Sequence, residues 1–220
     1  MKKAIKFLIT YKFALLLLIL VAQIFLPIYF IKPVVSHFFS YLFMSLTLIT
    51  SLLIFKDIKH SILFRIFITL VIIVMVTTWG NFSNSKEHIM LIPRLLIIAL
   101  LYLLIFINIF KEFSKRDKVD IDFLLGAICA YVLLGILGSF LSVIIDSFYP
   151  GSFTFANDSI NFQDYIYFNF VTLTTLGYGD VLPTTPQGEM HAIFIAIVGQ
   201  LYLTITIALI VGRYLMHRGK

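Results

Sequence analysis

The chain has 220 residues, of which 60% are hydrophobic and only 13% are charged, and its formal net charge is +6. A soluble domain of this length needs roughly 25% charged residues to cover its surface, so the composition excludes a soluble globular protein and predicts an integral membrane protein. The single cysteine, Cys129, excludes an intrachain disulfide.

Six apolar segments are long enough to cross about 30 Å of hydrocarbon, and they predict an all-α membrane protein with six transmembrane helices. Short polar or charged connections join the first five segments, whereas a longer segment, 146–189, precedes the sixth. The predicted spans are 13–31, 34–55, 62–79, 89–110, 123–145 and 190–215.

The basic residues are distributed unequally between the two sides of the membrane that these spans define. Lysine and arginine accumulate on the cytoplasmic side, so both termini are predicted to be cytoplasmic, in the plasma (inner) membrane. The positive charge is therefore an orientation signal. It leaves membrane lipids as the expected surroundings and excludes nucleic acid as a partner. The side of the N terminus collects Lys2, Lys3, Lys6, Lys12, Lys56, Lys59, Arg65, Lys111, Lys115, Arg116, Lys118, Arg213, Arg218 and Lys220, against Lys32, Lys86 and Arg94 on the other.

The segment between the fifth and sixth spans lies on the outer side and contains no lysine or arginine. Its charged residues are all acidic, so it forms an outer vestibule that attracts cations and repels anions. These acids are Asp146, Asp158, Asp164, Asp180 and Glu189.

A short helix is predicted within residues 161–175 of this segment. Asn161 is a suitable N-cap, and Asp164, three residues later, complements the helix dipole. The helix is too short to cross a bilayer, and glycine-rich backbone follows it. Such a re-entrant loop is tolerated in a membrane only where it is buried in protein or lines a water-filled path.

The residues after this helix, TLGYG, are suited to bind a dehydrated cation. Gly177 and Gly179 allow positive φ at alternate positions, which aims successive carbonyl groups toward one line. Such oxygens replace the water that an ion sheds on entry, and the negative helix end near Thr174 favours a cation below them. The predicted oxygen ligands are the carbonyls of Thr175, Leu176, Gly177 and Tyr178 and the Thr175 hydroxyl. The aromatics predicted to brace this loop are Tyr165, Tyr167, Phe168, Phe170 and Tyr178.

The segment TTLGYGD, residues 174–180, resembles the signature sequence of potassium channels. The similarity extends over about residues 121–215 to the pore half of the prokaryotic potassium channel family. It implies a homotetramer in which each chain donates one loop to a central pore, with K+ ions bound in the filter and no organic cofactor. It also implies a hinge in the inner helix at Gly199 and places Pro183 directly after the filter. On this basis residues 113–220 are the expected pore domain.

The sequence departs from the family pattern at one filter position and at one position of the short helix before it. Leu176 replaces the usual valine, which is conservative because the carbonyl coordinates the ion. Val171 stands where some members have a glutamate that pairs with the acid after the filter, so Asp180 is expected to lack that partner.

The six-span layout resembles that of voltage-gated channels, and residues 1–112 resemble a degenerate four-helix voltage-sensor domain. A sensor moves several charges, each contributing about 2.3 kcal/mol per 100 mV. The fourth span carries only Arg94, after Pro93 near its outer end. We interpret Arg94 as a side chain that extends to the outer headgroups, and we expect no strong voltage gating.

The inner helix is expected to line a cavity below the filter. Gln200 and Thr204 lie four apart on one helix face, which Leu203, Ile207, Ala208 and Val211 extend toward the cytoplasm. Alternatively, Gln200 or Thr204 bonds a neighbouring helix. Proline at Gly199 or a bulky residue at Ala208 is then expected to change open probability without changing selectivity.

Two further positions carry structural expectations. His191, at the outer start of the sixth span, is expected to be interfacial, with protonation as a possible influence on conductance. Gly135 and Ser139 form a small-residue pair in the fifth span that is expected to serve helix packing.

The sequence thus predicts a potassium-selective channel that conducts passively, and not an enzyme, because no span carries an acid–base or metal-ligand cluster. One alternative is a subunit of a potassium uptake transporter, although such proteins usually carry four weaker pore motifs in one chain. The other is a weakly selective cation channel, which usually alters Tyr178 or Gly179. The sequence does not identify a regulatory partner.

Overall fold

The computed structural model describes residues 11–30, 33–55, 62–80, 88–114, 119–155 and 161–218. The chain forms two compact units, residues 1–115 with 120–130, and residues 116–119 with 131–220. The predicted domain boundary at 112/113 remains a prediction. Several basic residues used for the topology lie outside the described residues: Lys2, Lys3, Lys6, Lys32, Lys56, Lys59, Lys86, Lys115, Arg116, Lys118 and Lys220.

Helices account for nearly all regular structure in the described residues. They are α1 (Lys12–Phe25), which continues into a 3₁₀ helix (Leu26–Tyr29), α2 (Pro33–Ser51), α3 (Ile62–Gly80), α4 (His88–Ser114), α5 (Ile121–Phe148), α6 (Phe162–Leu173) and α7 (Pro186–Arg218). Two short strands, β1 (Phe153–Thr154) and β2 (Leu182–Pro183), pair antiparallel, with Phe153 opposite Pro183.

Within the residues that the structure describes, five helical segments are long and apolar enough to cross a membrane, and this confirms a helical integral membrane protein. They are Lys12–Tyr29, Val34–Ser51, Ile92–Glu112, Ile121–Phe148 and Pro186–Met216. The third predicted span is a shorter apolar helix, Phe64–Gly80, so the count of six spans remains a prediction.

Two helix boundaries differ from the sequence prediction for local reasons. The first span changes to 3₁₀ geometry at Leu26, beside Pro27, which lacks an N–H for the α-helical ladder. The last helix begins at Pro186, four residues before the predicted start. Thr185 caps it, because its hydroxyl accepts a hydrogen bond from the Gly188 N–H at 3.2 Å, and proline is favoured at the first helical position.

The first unit has an apolar core with an uncharged polar network inside it. Gln23 Oε1 accepts hydrogen bonds from the Thr47 hydroxyl at 3.1 Å and from the Tyr102 hydroxyl at 3.0 Å, and all three residues are buried. An ion pair joins Lys12 to Glu112 at 2.5 Å. These three buried polar side chains therefore satisfy one another within the unit, whereas the buried Thr78 hydroxyl has no hydrogen-bond partner among the described residues.

The second unit packs α6 against α5 at glycine positions. A Cβ on Gly135 would lie 2.4 Å from the Phe170 ring, so this contact requires glycine and confirms the packing role predicted for it. The Ser139 hydroxyl donates to the Gly135 carbonyl at 2.8 Å, within its own helix. Because Gly135 of α5 has no side chain, the Phe170 ring of α6 can pack directly against the α5 backbone.

Candidate ion-conduction site

The short helix α6 begins where the sequence predicts. The Asn161 N–H donates to the Asp164 carboxylate at 2.7 Å, and the Asp164 N–H donates to the Asn161 carbonyl at 3.0 Å. Asp164 thus satisfies one of the free N–H groups at the helix start and complements the dipole there. With 12 residues, the helix is about 18 Å long and does not cross a bilayer.

The backbone after α6 alternates in conformation. The φ angles of Thr175, Gly177 and Gly179 are 61°, 53° and 79°. Positive φ at the two glycines confirms the prediction. Thr175 was not predicted to share it, because a β-branched residue in this region costs about 1–2 kcal/mol. The sequence did contain a signal for it, because Thr175 lies two residues before Gly177 and so continues the alternation of the two glycines.

Local hydrogen bonds retain Thr175 in this conformation. Its N–H donates to the Thr172 carbonyl at 3.0 Å, and its hydroxyl donates to the Thr174 carbonyl at 2.6 Å. The Thr174 hydroxyl in turn donates to the Phe170 carbonyl at 2.7 Å. The strained residue is therefore attached to the last turn of α6, whose negative end points toward it.

The N–H groups and the carbonyl groups of the loop have different environments. The N–H groups of Leu176 and Gly177 both donate to the Val171 carbonyl, at 3.0 and 3.3 Å. None of the hydrogen bonds in the described residues uses the carbonyl oxygens of the four residues that follow Thr174. These four successive carbonyls are strong acceptors, and the residues that carry them are exposed in the single chain. The carbonyls are those of Thr175, Leu176, Gly177 and Tyr178.

At the outer end of the loop, Asp180 has a partner on α6. The Tyr167 hydroxyl donates to the Asp180 carboxylate at 2.5 Å, and the other carboxylate oxygen accepts from the Val181 N–H at 3.1 Å. The hydrogen bond to Asp180, more than burial, raises the pKa of the Tyr167 phenol. Asp180 lacks a glutamate at position 171, as predicted, but a tyrosine four residues earlier takes up the contact.

If the loop conducts ions, as the sequence predicts, replacing Tyr167 by phenylalanine should shorten the conducting periods by roughly tenfold. The change removes only the hydroxyl that holds Asp180, so the outer end of the loop loses its attachment to α6. Single-channel open durations measure the effect. Tyr149→Phe, at an exposed position outside the loop, is the matched control, and equal open durations in both variants would refute the role of this bond.

The other aromatic residues of α6 contact different parts of the unit. Phe168 and Tyr165 are buried with Phe153 of β1, and the Tyr165 hydroxyl donates to Asp146 at 2.6 Å. Burial, followed by Asp146, raises the pKa of Tyr165. Tyr178 itself is 67% exposed in the single chain. Of the α6 aromatics predicted to brace the loop, Tyr167 is the one with a hydrogen bond to its outer end.

The vestibule acids have mixed roles. Asp146 accepts from the Tyr165 hydroxyl and from the Ser152 N–H at 2.8 Å, and Asp164 caps α6. Asp158 lies outside the described residues. Two of the predicted acids thus organise the protein around the loop in addition to contributing negative charge.

The inner helix α7 contacts α6 at Gly199. A Cβ at this position would lie 2.3 Å from the Leu173 carbonyl oxygen, so glycine is required by close approach to the backbone just before the loop. The helix runs without interruption from Pro186 to Arg218. A hinge at Gly199 remains a prediction. The close contact with Leu173 explains the glycine at this position independently of any hinge.

The predicted cavity residues lie on α7 below the loop. Gln200 Nε2 is 3.5 Å from the Thr175 hydroxyl oxygen, and the Thr204 hydroxyl donates to the Gln200 carbonyl of its own helix at 2.8 Å. The structure therefore brings Gln200 to the inner end of the loop. The remaining members are exposed or partly exposed in the single chain, and their cavity role stays a prediction: Leu203, Ile207, Ala208 and Val211.

The expectation that His191 is interfacial is wrong. Its side chain is only 6% exposed and makes hydrogen bonds inside the second unit. The prediction placed His191 at the membrane interface because the sixth span was expected to start at residue 190. The helix begins earlier, at Pro186, so His191 lies more than one turn inside α7.

Comparisons with known proteins identify similarities to ion channels. A family described as "Ion channel" matches residues 124–216. A voltage-gated potassium channel of Aeropyrum pernix is 36% identical over 95 residues, which are 43% of this chain and 29% of that protein. Potassium voltage-gated channel subfamily A member 10 of Mus musculus and of Homo sapiens are each 44% identical over 50 residues, which are 22% of this chain and 10% of those proteins. The matches thus span less than a third of each relative's length. No solved structure matches.

Proposed function

We propose that this chain is the subunit of a potassium-selective channel. The proposal is supported by the match of residues 124–216 to a family described as "Ion channel" and by the similarity to a voltage-gated potassium channel. The channel conducts K+ passively across the plasma membrane. The observation that carries the proposal is the run of four unpaired carbonyls on a backbone of alternating φ. Such oxygens are the ligands that replace the hydration shell of K+ in a selectivity filter.

The ion ligands in this proposal are the carbonyls of Thr175, Leu176, Gly177 and Tyr178, with the Thr175 hydroxyl at the inner end. Polar backbone inside a membrane needs a partner, and K+ ions supply it here. The negative end of α6 and the acids of the vestibule favour a cation on either side of the filter. No organic cofactor enters the mechanism, which is diffusion through an oxygen-lined path.

We propose a homotetramer, the assembly that the resemblance to potassium channels implies, and the geometry of one loop supports an oligomer. A single strand of carbonyls cannot surround an ion, and residues 174–180 are all exposed in the isolated chain. Only 22% of the α7 span is buried. A polar loop within a membrane is tolerated only where protein or water surrounds it, which supports enclosure of the loop by further copies of the chain around a shared axis.

The orientation has both termini in the cytoplasm and the filter entrance outside. The first unit resembles a voltage sensor in layout, but its described buried polar network is uncharged, with Gln23, Thr47 and Tyr102 as members. This supports a channel whose opening depends little on voltage.

Substituting Arg94 by glutamine should leave the voltage dependence of open probability unchanged. One charge that crosses part of the field contributes less than about 2.3 kcal/mol per 100 mV, which is too little for steep gating. Recordings of open probability across voltage steps test this. A steep dependence in the wild type that R94Q removes would show that Arg94 is a gating charge.

The reversal potential of the purified protein in planar bilayers tests the proposed selectivity. With potassium on one side and sodium on the other, we expect reversal near the potassium limit. Reversal near zero would instead support the weakly selective cation channel. Flux that stops without a second coupled ion would support the uptake-transporter alternative.

A further inference from the structure

Three polar side chains are buried together where α5, α6 and α7 meet. Ser142 on α5 and Asn169 on α6 are fully buried, and His191 on α7 is nearly so. Buried polar groups within membrane helices are costly, and they are retained where their hydrogen bonds serve a function. The proposed function leaves this cluster unexplained.

The hydrogen bonds of Asn169 determine the direction of all the others. Its amide nitrogen donates to the Tyr165 carbonyl and to the Ser142 hydroxyl oxygen, both at 2.8 Å, which uses both amide protons. The amide oxygen therefore faces His191, whose Nε2 lies 3.1 Å away. That oxygen can only accept, so the contact is a hydrogen bond in the Nε2–H tautomer, which we assign to His191.

His191 also contacts α5 directly. Its Nε2 lies 2.8 Å from the Ser142 hydroxyl oxygen. A Cβ on Gly138 would approach the Asn169 amide oxygen to 2.7 Å, so the site has no space for a side chain there. One imidazole on the inner helix thus joins the outer helix and the short helix that precedes the filter.

The position of the cluster relates it to the filter. Asn169 lies on α6 four residues before the helix ends at Leu173, and six residues before Thr175, the first residue of the filter. Apolar contacts allow helices to slide, whereas hydrogen bonds between buried partners fix one arrangement. A shift of α6 along α7 would break the contact from Nε2 to Asn169.

We propose that His191 is a positioning residue for conduction: its Nε2–H fixes α6, and through it the filter, relative to the inner helix. This inference rests on the proposed function, and it assigns to His191 control over how long the channel stays in its conducting state. Without the donor, α6 shifts more readily and the filter leaves its conducting arrangement sooner. The carbonyl ligands themselves are unchanged, so ion selectivity in the open state is retained.

Variants at position 191 separate the donor from the volume of the ring. His191→Gln places an amide nitrogen at the reach of Nε2, His191→Asn reaches only as far as Nδ1, and His191→Phe keeps a ring without a donor. Single-channel recordings give the mean open duration and the reversal potential. We expect H191F and H191N to shorten the open duration by about tenfold, H191Q to restore it to within about twofold, and the reversal potential to stay constant.

A second set of variants avoids reliance on a substitution that alters folding. Ser142→Ala removes one hydroxyl and should shorten open durations by about threefold. The double variant H191F/S142A should be less affected than the product of the single effects, because both changes break one network. Thermal denaturation of the tetramer shows whether each variant is assembled.

Three outcomes would each overturn the inference. The open duration of H191F could equal that of the wild type, or H191Q and H191F could shorten it equally. The third is an effect on open duration in the double variant that equals the product of the two single effects. Failure of this inference can be distinguished from failure of the proposed function. A wild-type conductance without potassium selectivity would refute the proposed function, while the open durations would still test His191. A wild type without conductance would overturn both.

Discussion

Replacement of Gly179 by alanine is expected to abolish potassium-selective conduction. The φ of Gly179 is 79°, and no atom lies within 4 Å of the position that an added Cβ would occupy. The cost is therefore confined to the backbone, at about 1–2 kcal/mol per chain. In a tetramer the cost occurs four times, which is enough to replace the alternating conformation by another. The reversal potential should then move from the potassium limit toward zero, or the current should disappear.

Gly151 provides a matched control for this substitution. Its φ is also 79°, it also has no atom within 4 Å of an added Cβ, and it lies in the outer turn before β1. Gly151→Ala should therefore cost a similar free energy per chain and leave the reversal potential unchanged. If both variants lost selectivity equally, the effect would come from general destabilisation. If Gly179→Ala remained selective, the alternating backbone would not be what selects the ion.

Replacement of Gly199 by alanine should disrupt the filter by displacing the end of α6, which immediately precedes it. The added Cβ would lie 2.3 Å from the Leu173 carbonyl oxygen and 3.1 Å from its carbonyl carbon. Backbone atoms cannot rotate away as a flexible side chain can, so the last turn of α6 must move. Overpacking of this kind costs typically about 1–3 kcal/mol per site. We expect lower thermal stability of the tetramer together with loss of potassium selectivity.

Gly212, in the same helix, is the control for Gly199. No atom lies within 4 Å of its added Cβ, so alanine there should stabilise the helix by up to about 1 kcal/mol without changing conduction. The sequence-based expectation for Gly199 was different, namely a change in open probability with selectivity retained. That result in G199A would favour the hinge and contradict the packing role.

Features encoded by neighbouring residues were predictable from the sequence. The start of α6 follows from Asn161 and Asp164, three residues apart, and the positive φ of Gly177 and Gly179 follows from glycine itself. In each case the physical cause lies within a few positions of the effect, so no knowledge of the tertiary structure was needed.

Contacts between distant segments were not predictable in the same way. The hydrogen bond from Tyr167 to Asp180 and the burial of His191 depend on where α6 lies relative to the filter and to α7. The start of α7 was misplaced for a different reason, because Thr185 and Pro186 carry a local capping signal that hydropathy does not detect. The assembly and the cavity residues remain proposals.

The environment of Cys129 has a practical consequence for spectroscopy. This residue is the only cysteine in the chain, its side chain is fully buried, and its thiol donates to the Phe13 carbonyl at 3.3 Å. Maleimide and methanethiosulfonate reagents need an accessible thiolate, so the native protein should remain unlabelled. A single cysteine introduced at the outer mouth would then carry the only fluorophore or spin label, and distances between labels on different subunits would measure the assembly directly without first removing a native thiol.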